Sequence, residues 1–345
     1  MRDDSPELPE LANRAVDRRK FVLGAAGAAG AAAGLAFPGT VFAHINRASN
    51  SKTIAFAQPD TSASVYPLLL KGAKQAAAAR GYQLLESHAN HQLDAQVNEL
   101  NTWIGQGIGG VIVLPLDNNA MLPLIKKAHD ANVKFLDYSD KALPGTDGWV
   151  IFNNLQGAAL VGADAGRWVK RTLGGKAKVA LLTHEIQQTG RDRIHGGIKA
   201  LQKVAPGAKV VSRHEGVLAA ECLTVTQSLL QAHPDLNVIL CIADDGALGA
   251  EKAFLQTHPS KARQRTMYIG GWDGSIPAMK AVVGGTVIRS TGALDLVGIG
   301  AASVNATANA IEGKGSSRIN YPYVLVSQSA AGKRTGRKLL AKYGA

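Results

Sequence analysis

The chain is short of cysteine and of aromatic residues. It has two cysteines in 345 residues, Cys222 and Cys241, and neither sits in a CxxC pair. Two cysteines cannot staple a chain of this length, which excludes a disulfide scaffold. Cys241 lies inside an apolar run and reads as a small buried hydrophobe. Aromatic residues make up 5% of the chain. A phosphate-cradling loop, a nucleophile elbow and a two-histidine metal helix are all missing, so a hydrolase or kinase would lack its machinery. His88 and His91 stand three apart in a loop-like stretch with no third ligand, and His184-Glu185 is equally unsupported. No metal, cofactor or catalytic residue is expected, and an exported enzyme is the weaker alternative. Acidic residues are outnumbered, 26 against 38 Lys and Arg, for a formal charge of +12. The cations are spread along the chain apart from a C-terminal cluster, which fits a solvated basic surface rather than a nucleic-acid partner. After the N-terminal region no apolar run is long enough to cross a membrane.

The first 43 residues carry an export pattern. Asp17-Arg-Arg-Lys-Phe-Val-Leu23 is followed by a Gly/Ala-rich apolar run to Phe37, then Pro38 and the small-residue site Val41-Phe-Ala43. A charged region, an apolar region and a cleavage site together make a secretory signal. Arg18-Arg19 resembles the twin-arginine motif, so the export machinery of that route is an expected partner, with cleavage after Ala43. The glycines from Gly24 to Gly34 follow no strand and fail the context of a dinucleotide fingerprint.

What the chain does have is a regular alternation of short apolar runs and Ala-rich amphipathic stretches, which predicts an α/β protein. Thr53-Ile-Ala-Phe-Ala57, Gly110-Val-Ile-Val-Leu114 and Lys178-Val-Ala-Leu-Leu182 are continuous apolar runs, as strands buried on both faces require. Two later runs end abruptly in carboxylates and glycine: Leu236 through Asp244-Asp-Gly246, and Met267-Tyr-Ile-Gly-Gly-Trp-Asp-Gly274. In open parallel sheets, ligands bind in the crevice beyond the strands' carboxyl ends. Asp244, Asp245 and Asp273 are therefore expected near one cleft, with Asp244 or Asp245 also capping the following helix. Trp272 is expected to be buried support rather than a stacking plate.

Eight segments in order carry a family resemblance. They include Leu70 through Tyr82, Gly110-Val-Ile-Val-Leu-Pro-Leu-Asp117, Gly190-Arg-Asp-Arg193, Leu229 through Asp235, Ala247-Leu-Gly-Ala250 and Ile269 through Gly274. Together they resemble the type I periplasmic sugar-binding proteins of ABC importers, the ribose- and galactose-binding class, over about residues 52–330. The resemblance implies two doubly wound parallel-sheet α/β lobes joined by a three-segment hinge that closes on ligand. The expected division is a signal over 1–43, a linker over 44–51, a first lobe of 52–153 plus 292–320, a second of 154–291 plus 321–332, and a solvated basic tail over 333–345. Crossings are expected after Phe152, near Ser290-Thr-Gly292 and near Tyr321.

The resemblance further implies a periplasmic monomer that hands a sugar or polyol to a membrane permease, or alternatively presents it to a membrane receptor. Carboxylates that accept hydroxyl hydrogens, an arginine fork and an aromatic plate are the groups that hold a sugar. Arg191 and Asp273 match the family's arginine and carboxylate. Ser139 and Asp140 fall at its acid-bearing loop, Tyr66 falls where an aromatic covers the sugar, and Asp244 completes the expected set. Ala243, Leu114, Val217 and Gly292 stand where the family commonly has polar or stacking contacts, which points away from ribose or glucose and toward a less hydroxylated ligand.

Overall fold

The computed structural model describes residues 51–59 and 63–345. The export signal expected over 1–43 and most of the linker over 44–51 lie outside the described residues. Strand-helix alternation runs through the first half: β1 (Thr53–Gln58), α1 (Tyr66–Ala79), β2 (Gln83–His88), α2 (Leu93–Gly105), β3 (Gly110–Val113), α3 (Asn118–Asp130), β4 (Lys134–Ser139) and β5 (Gly148–Ile151). The second half repeats it: α4 (Asn154–Leu173), β6 (Lys176–Thr183), α5 (Gln188–Val204), β7 (Gly207–Glu215), α6 (Ala219–Ala232), β8 (Val238–Cys241), α7 (Asp244–Gln256), α8 (Lys261–Arg265), β9 (Tyr268–Asp273), α9 (Ile276–Gly284) and β10 (Ile288–Ala293). The chain closes with α10 (Leu296–Ile311), β11 (Arg318–Asn320), β12 (Val324–Ser327) and α11 (Ala330–Tyr343).

These strands form two six-stranded sheets of the same design, β11-β5-β4-β3-β1-β2 and β12-β10-β9-β8-β6-β7. Both are doubly wound, with strand order reversing beside β1 and β6, which opens a crevice at the carboxyl ends there. Every residue of β1, β3 and β8 is buried, as continuous apolar strands covered by helices on both faces should be. The lobes exchange their last pieces: α10 packs on α1 of the first lobe, whereas α11 packs on α9 and β12 of the second. Among the described residues all pairings are parallel except β10 with β12, an antiparallel edge absent from the expected all-parallel lobes.

Three short crossings join the lobes, after Ile151, between Ala293 and Leu296, and between Asn320 and Val324. The second lies a few residues beyond the expected Ser290-Thr-Gly292. Those three residues are buried within β10, because Gly292 leaves room for the Trp272 indole beside it. A Cβ at 292 would sit 2.6 Å from Trp272 Cδ1. Trp272 itself is fully buried, the support role expected of it. Residues 333–345 do not form a solvated tail: through Tyr343 they continue α11, which buries Gly332, Gly336, Leu340 and Tyr343 along one face. Cys222 and Cys241 are buried free thiols, and burial holds both above the usual thiol range.

Candidate functional site

At the carboxyl end of the second sheet sits a buried cation, Arg193, whose charge bears on Asp140 at the carboxyl end of β4 in the first. Arg193 is on α5, whose buried stripe runs Gly190, Arg193, Ile194, Gly197, Leu201, the spacing of one helix face. The fork of Arg193 pairs with Asp273 Oδ1 at 2.7 Å. It also donates through Nε to Asn154 Oδ1 (3.0 Å), through one terminal nitrogen to the Ile242 carbonyl (2.8 Å) and through the other to the Tyr323 hydroxyl (3.1 Å). The Tyr323 hydroxyl in turn donates to Asn154 Oδ1 at 2.7 Å. Burial works against the Arg193 charge, but Asp273 and Tyr323 outweigh it and hold the guanidinium firmly protonated.

Asp273 ends β9 with φ at 121°, a conformation that L residues seldom adopt. Asp244 holds that turn in place. Its Oδ2 accepts from Gly274 N at 2.9 Å and Ser275 N at 2.7 Å. This corrects the expected helix cap: α7 has Ala243 at its N-cap and no side-chain cap bond, and the carboxylate of Asp244 caps the neighbouring turn instead. Strained backbone persists where its surroundings over-determine it. Burial, and then the nearby charge of Asp273, push the Asp244 carboxyl well above the ordinary range. Asp273 is also raised, burial outweighing the attraction of Arg193.

Asp245, the other expected cap, reaches across the cleft. Its carboxylate accepts from Ser64 N at 3.1 Å and Ser64 Oγ at 2.8 Å, tying the β1–α1 loop of the first lobe to the head of α7 in the second. Asp140, half-buried at the end of β4, also faces the second lobe. Burial raises its carboxyl first and the charge of Asp192 adds to this, while Arg193 and Lys141 oppose it. Tyr66 opens α1 close to Tyr138, whose hydroxyl is pushed far up by burial and then by Tyr66.

Three of the six expected residues, Tyr66, Asp140 and Asp273, thus lie at the strand ends and helix head that face the cleft. The other three are committed elsewhere. Arg191 is two residues from Arg193 and so points to the opposite side of α5, where it donates to the Glu185 carbonyl, to the Ile186 carbonyl (2.9 Å) and to Gln188 Oε1 (2.9 Å). The arginine paired with Asp273 is Arg193, not the expected Arg191. Ser139 turns back onto Asp137 Oδ2 (3.0 Å) and the Lys141 carbonyl (2.8 Å). Asp244 is occupied by the 273–275 turn. Residues missed from the sequence are Arg193, Asn154 and Tyr323. The Gly-Arg-x-Arg loop and Asn153-Asn154 marked their neighbourhood, but only helix phase selects Arg193.

Several polar atoms near these strand ends and helix heads are buried without a partner: Gln58 Nε2 at the end of β1, the Tyr138 hydroxyl, and Asn154 Nδ2. Buried polar groups are rarely left unpaired, so each marks a place where a further hydrogen-bonding group would be stabilising. The arrangement offers donors and acceptors around a paired charge, beside aromatic rings. It suits an uncharged hydroxylated molecule.

The sequence profile described as "Periplasmic binding protein domain" matches residues 54–315. Among curated proteins, the ribose import binding protein of Escherichia coli is 27% identical over 239 residues, covering 67% of this chain and 75% of that protein. The D-apiose import binding protein of Paraburkholderia graminis is 25% identical over 248 residues, covering 71% and 76%. Among solved structures, a Bacillus halodurans ABC transporter solute binding protein with bound myo-inositol superposes with a TM-score of 0.74 at 19% identity, over 86% of this chain and 99% of that one. A Mycobacterium smegmatis solute binding protein with bound glycerol gives 0.71 at 26% identity, over 81% and 95%.

Proposed function

The chain belongs to the periplasmic binding protein domain family, and on that premise we propose that it captures an uncharged sugar or polyol between its lobes and delivers it to an ABC importer permease. The observation that carries this reading is the buried Arg193–Asp273 pair of the second lobe, already matched charge to charge and close enough to Asp140 of the first lobe to act on its carboxyl. An acidic ligand would need a spare cation, and the fork of Arg193 is largely taken. Tyr66, Asp140, Arg193 and Asp273 are proposed to meet the ligand, with Asn154 and Tyr323 orienting Arg193 and Asp244 holding the Asp273 turn. Closure would desolvate these hydrogen bonds and strengthen them. Relatives named for ribose and D-apiose, and neighbours holding myo-inositol and glycerol, support the ligand class.

The test is thermal unfolding of residues 44–345 against D-ribose, D-allose, D-apiose, myo-inositol and glycerol, with gluconate and phosphate as charged controls. A ligand at about 1,000 times its dissociation constant adds about 4 kcal/mol, which in a protein of this size shifts the midpoint by several degrees. A shift by one neutral compound alone supports the reading. A shift by a charged control and by no neutral compound overturns it.

Export by the twin-arginine route is proposed from Arg18-Arg19. Arg18→Lys with Arg19→Lys should abolish periplasmic accumulation, and unchanged accumulation refutes the route. The protein is proposed to act as a monomer in the periplasm.

A further inference from the structure

The C-terminal helix does more than cover the second lobe. It is fixed to that lobe by close packing: a Cβ at Gly332 would lie 2.5 Å from Ser327 N, and one at Gly336 would lie 2.8 Å from Val326 Cγ1 and 3.0 Å from Val283 Cγ2. Its last turn then reaches the second interlobe crossing. The buried Tyr343 hydroxyl donates to the Leu294 carbonyl at 2.7 Å and accepts from Leu296 N at 3.0 Å. Those two groups flank Asp295, the N-cap of α10 in the two-residue connection Leu294-Asp295 that follows β10, so one phenol holds both sides of that residue.

Two further contacts lie in the same turn. Lys342 pairs with the Asp295 carboxylate. The other oxygen of that carboxylate accepts from Gly298 N at 3.0 Å and caps α10, a first-lobe helix. Lys71, on α1 of the first lobe, donates to the Tyr343 carbonyl at 2.8 Å. Tyr321, on the third crossing, lies beside this group, for a Cβ at Gly298 would meet its hydroxyl at 2.3 Å and Asp295 Oδ2 at 2.4 Å. A helix seated in one lobe is therefore bonded to a crossing and to the other lobe.

We propose that Tyr343 is a positioning residue for lobe closure: the last turn of the C-terminal helix is a strut that holds the second crossing in the conformation seen here and restrains the lobes from opening. Hinges work by concentrating dihedral change in a few residues, and Tyr343 bonds the backbone on both sides of Asp295 at this crossing. Its effect is on the balance of open and closed forms and does not depend on which ligand is bound. This inference goes beyond the binding reading and stands or falls separately from it.

The test is small-angle X-ray scattering on residues 44–345 without ligand, comparing wild type, Tyr343→Phe and Lys71→Met. Tyr343→Phe keeps the ring in place and removes both hydroxyl bonds. Lys71→Met removes the link from the first lobe at an exposed side chain, and it decides the question should Tyr343→Phe fail to fold. A net hydrogen bond of ordinary strength corresponds to about a fivefold change in an equilibrium ratio. Each folded variant should show a larger radius of gyration, with the open-to-closed ratio raised by about that factor. Scattering curves superimposable on wild type, with a lowered unfolding midpoint, would assign Tyr343 to stability alone and overturn the proposal.

Discussion

Replacing Arg193 by methionine is the most severe single change the site allows. The residue is 7% exposed and makes its bonds to Asp273, Asn154, the Ile242 carbonyl and Tyr323 below the surface. Methionine fills much of the same volume and supplies no donor. It leaves the Asp273 carboxylate beside Asp244 with no counter-charge, and the Ile242 carbonyl without this donor. Breaking a buried pair by removing one partner costs about 3–5 kcal/mol, because the orphaned charge stays in a poor solvent. In a protein of this size that is a fall in unfolding midpoint of roughly 5–15 °C. The double variant Arg193→Met/Asp273→Asn removes the orphan as well, so it should be less destabilised than the sum of its two single variants by about 1–3 kcal/mol. Urea denaturation of wild type, both single variants and the double variant at pH 7 measures all four corners. Strict additivity, or a single-variant cost below about 1 kcal/mol, would show that the pair does not carry the charge balance argued here.

Two other predictions follow from buried groups outside that cluster. Burial raises the Asp137 carboxyl to about 6 despite bonds from Ser139 and Leu143. Between about pH 4 and 6 the fold therefore keeps a proton that the unfolded chain has released. This contribution to stability is full below that window and lost as pH rises through it. Asp137→Asn should remove the loss, so the variant should gain roughly 2–3 kcal/mol relative to wild type between pH 4 and pH 7. Urea titrations across that range check it, and a constant difference refutes it. Gly72 and Gly300 bring α1 and α10 into backbone contact, since a Cβ at either would lie 1.9 Å from the Val297 or Leu69 carbonyl oxygen. Gly72→Ala should cost about 1–3 kcal/mol or more by forcing the helices apart, and an unchanged urea midpoint would refute that.

Much of the architecture was legible because burial on both faces leaves a plain mark on sequence. The strands at Thr53, Gly110 and Val238 are continuous apolar runs, and Asp117, just before α3, caps it by accepting from Ala120 N at 2.9 Å. The parts that were not legible depend on geometry that composition does not record. Arg191 and Arg193 are equivalent in a motif, and the choice between them is made by helix phase against Ile194, Gly197 and Leu201. The buried face of α11 is half glycine, so a helix docked through Gly332 and Gly336 resembles a polar, basic tail. Ser290-Thr-Gly292 has the composition of a turn, and it is strand because a neighbouring tryptophan occupies the space that a side chain at 292 would need. Asp244 and Asp245 are adjacent and alike, yet one bonds a turn in its own lobe and the other bonds the opposite lobe.

The three crossings and the candidate ligand residues form one network, and that has a mechanical consequence. Asn154, just past the first crossing, and Tyr323, on the third, are both bonded to Arg193 and to each other. At the second, Leu294 N donates to the Asp273 carbonyl at 3.1 Å. The pair in the cleft is thus connected to every segment whose dihedrals must change when the lobes move. A ligand that reorients Arg193 or Asp273 changes the bonds holding the hinge, and a hinge that opens changes the geometry of Arg193. Ligand binding and closure are then two readings of a single equilibrium, each shifted by whatever shifts the other. On that argument Tyr323→Phe, which keeps the ring and breaks the hydroxyl bridge between Asn154 and Arg193, should weaken affinity for whichever neutral compound raises the unfolding midpoint and should alter ligand-free scattering as well. A loss of affinity with unchanged scattering would separate the two and confine Tyr323 to the ligand's surroundings.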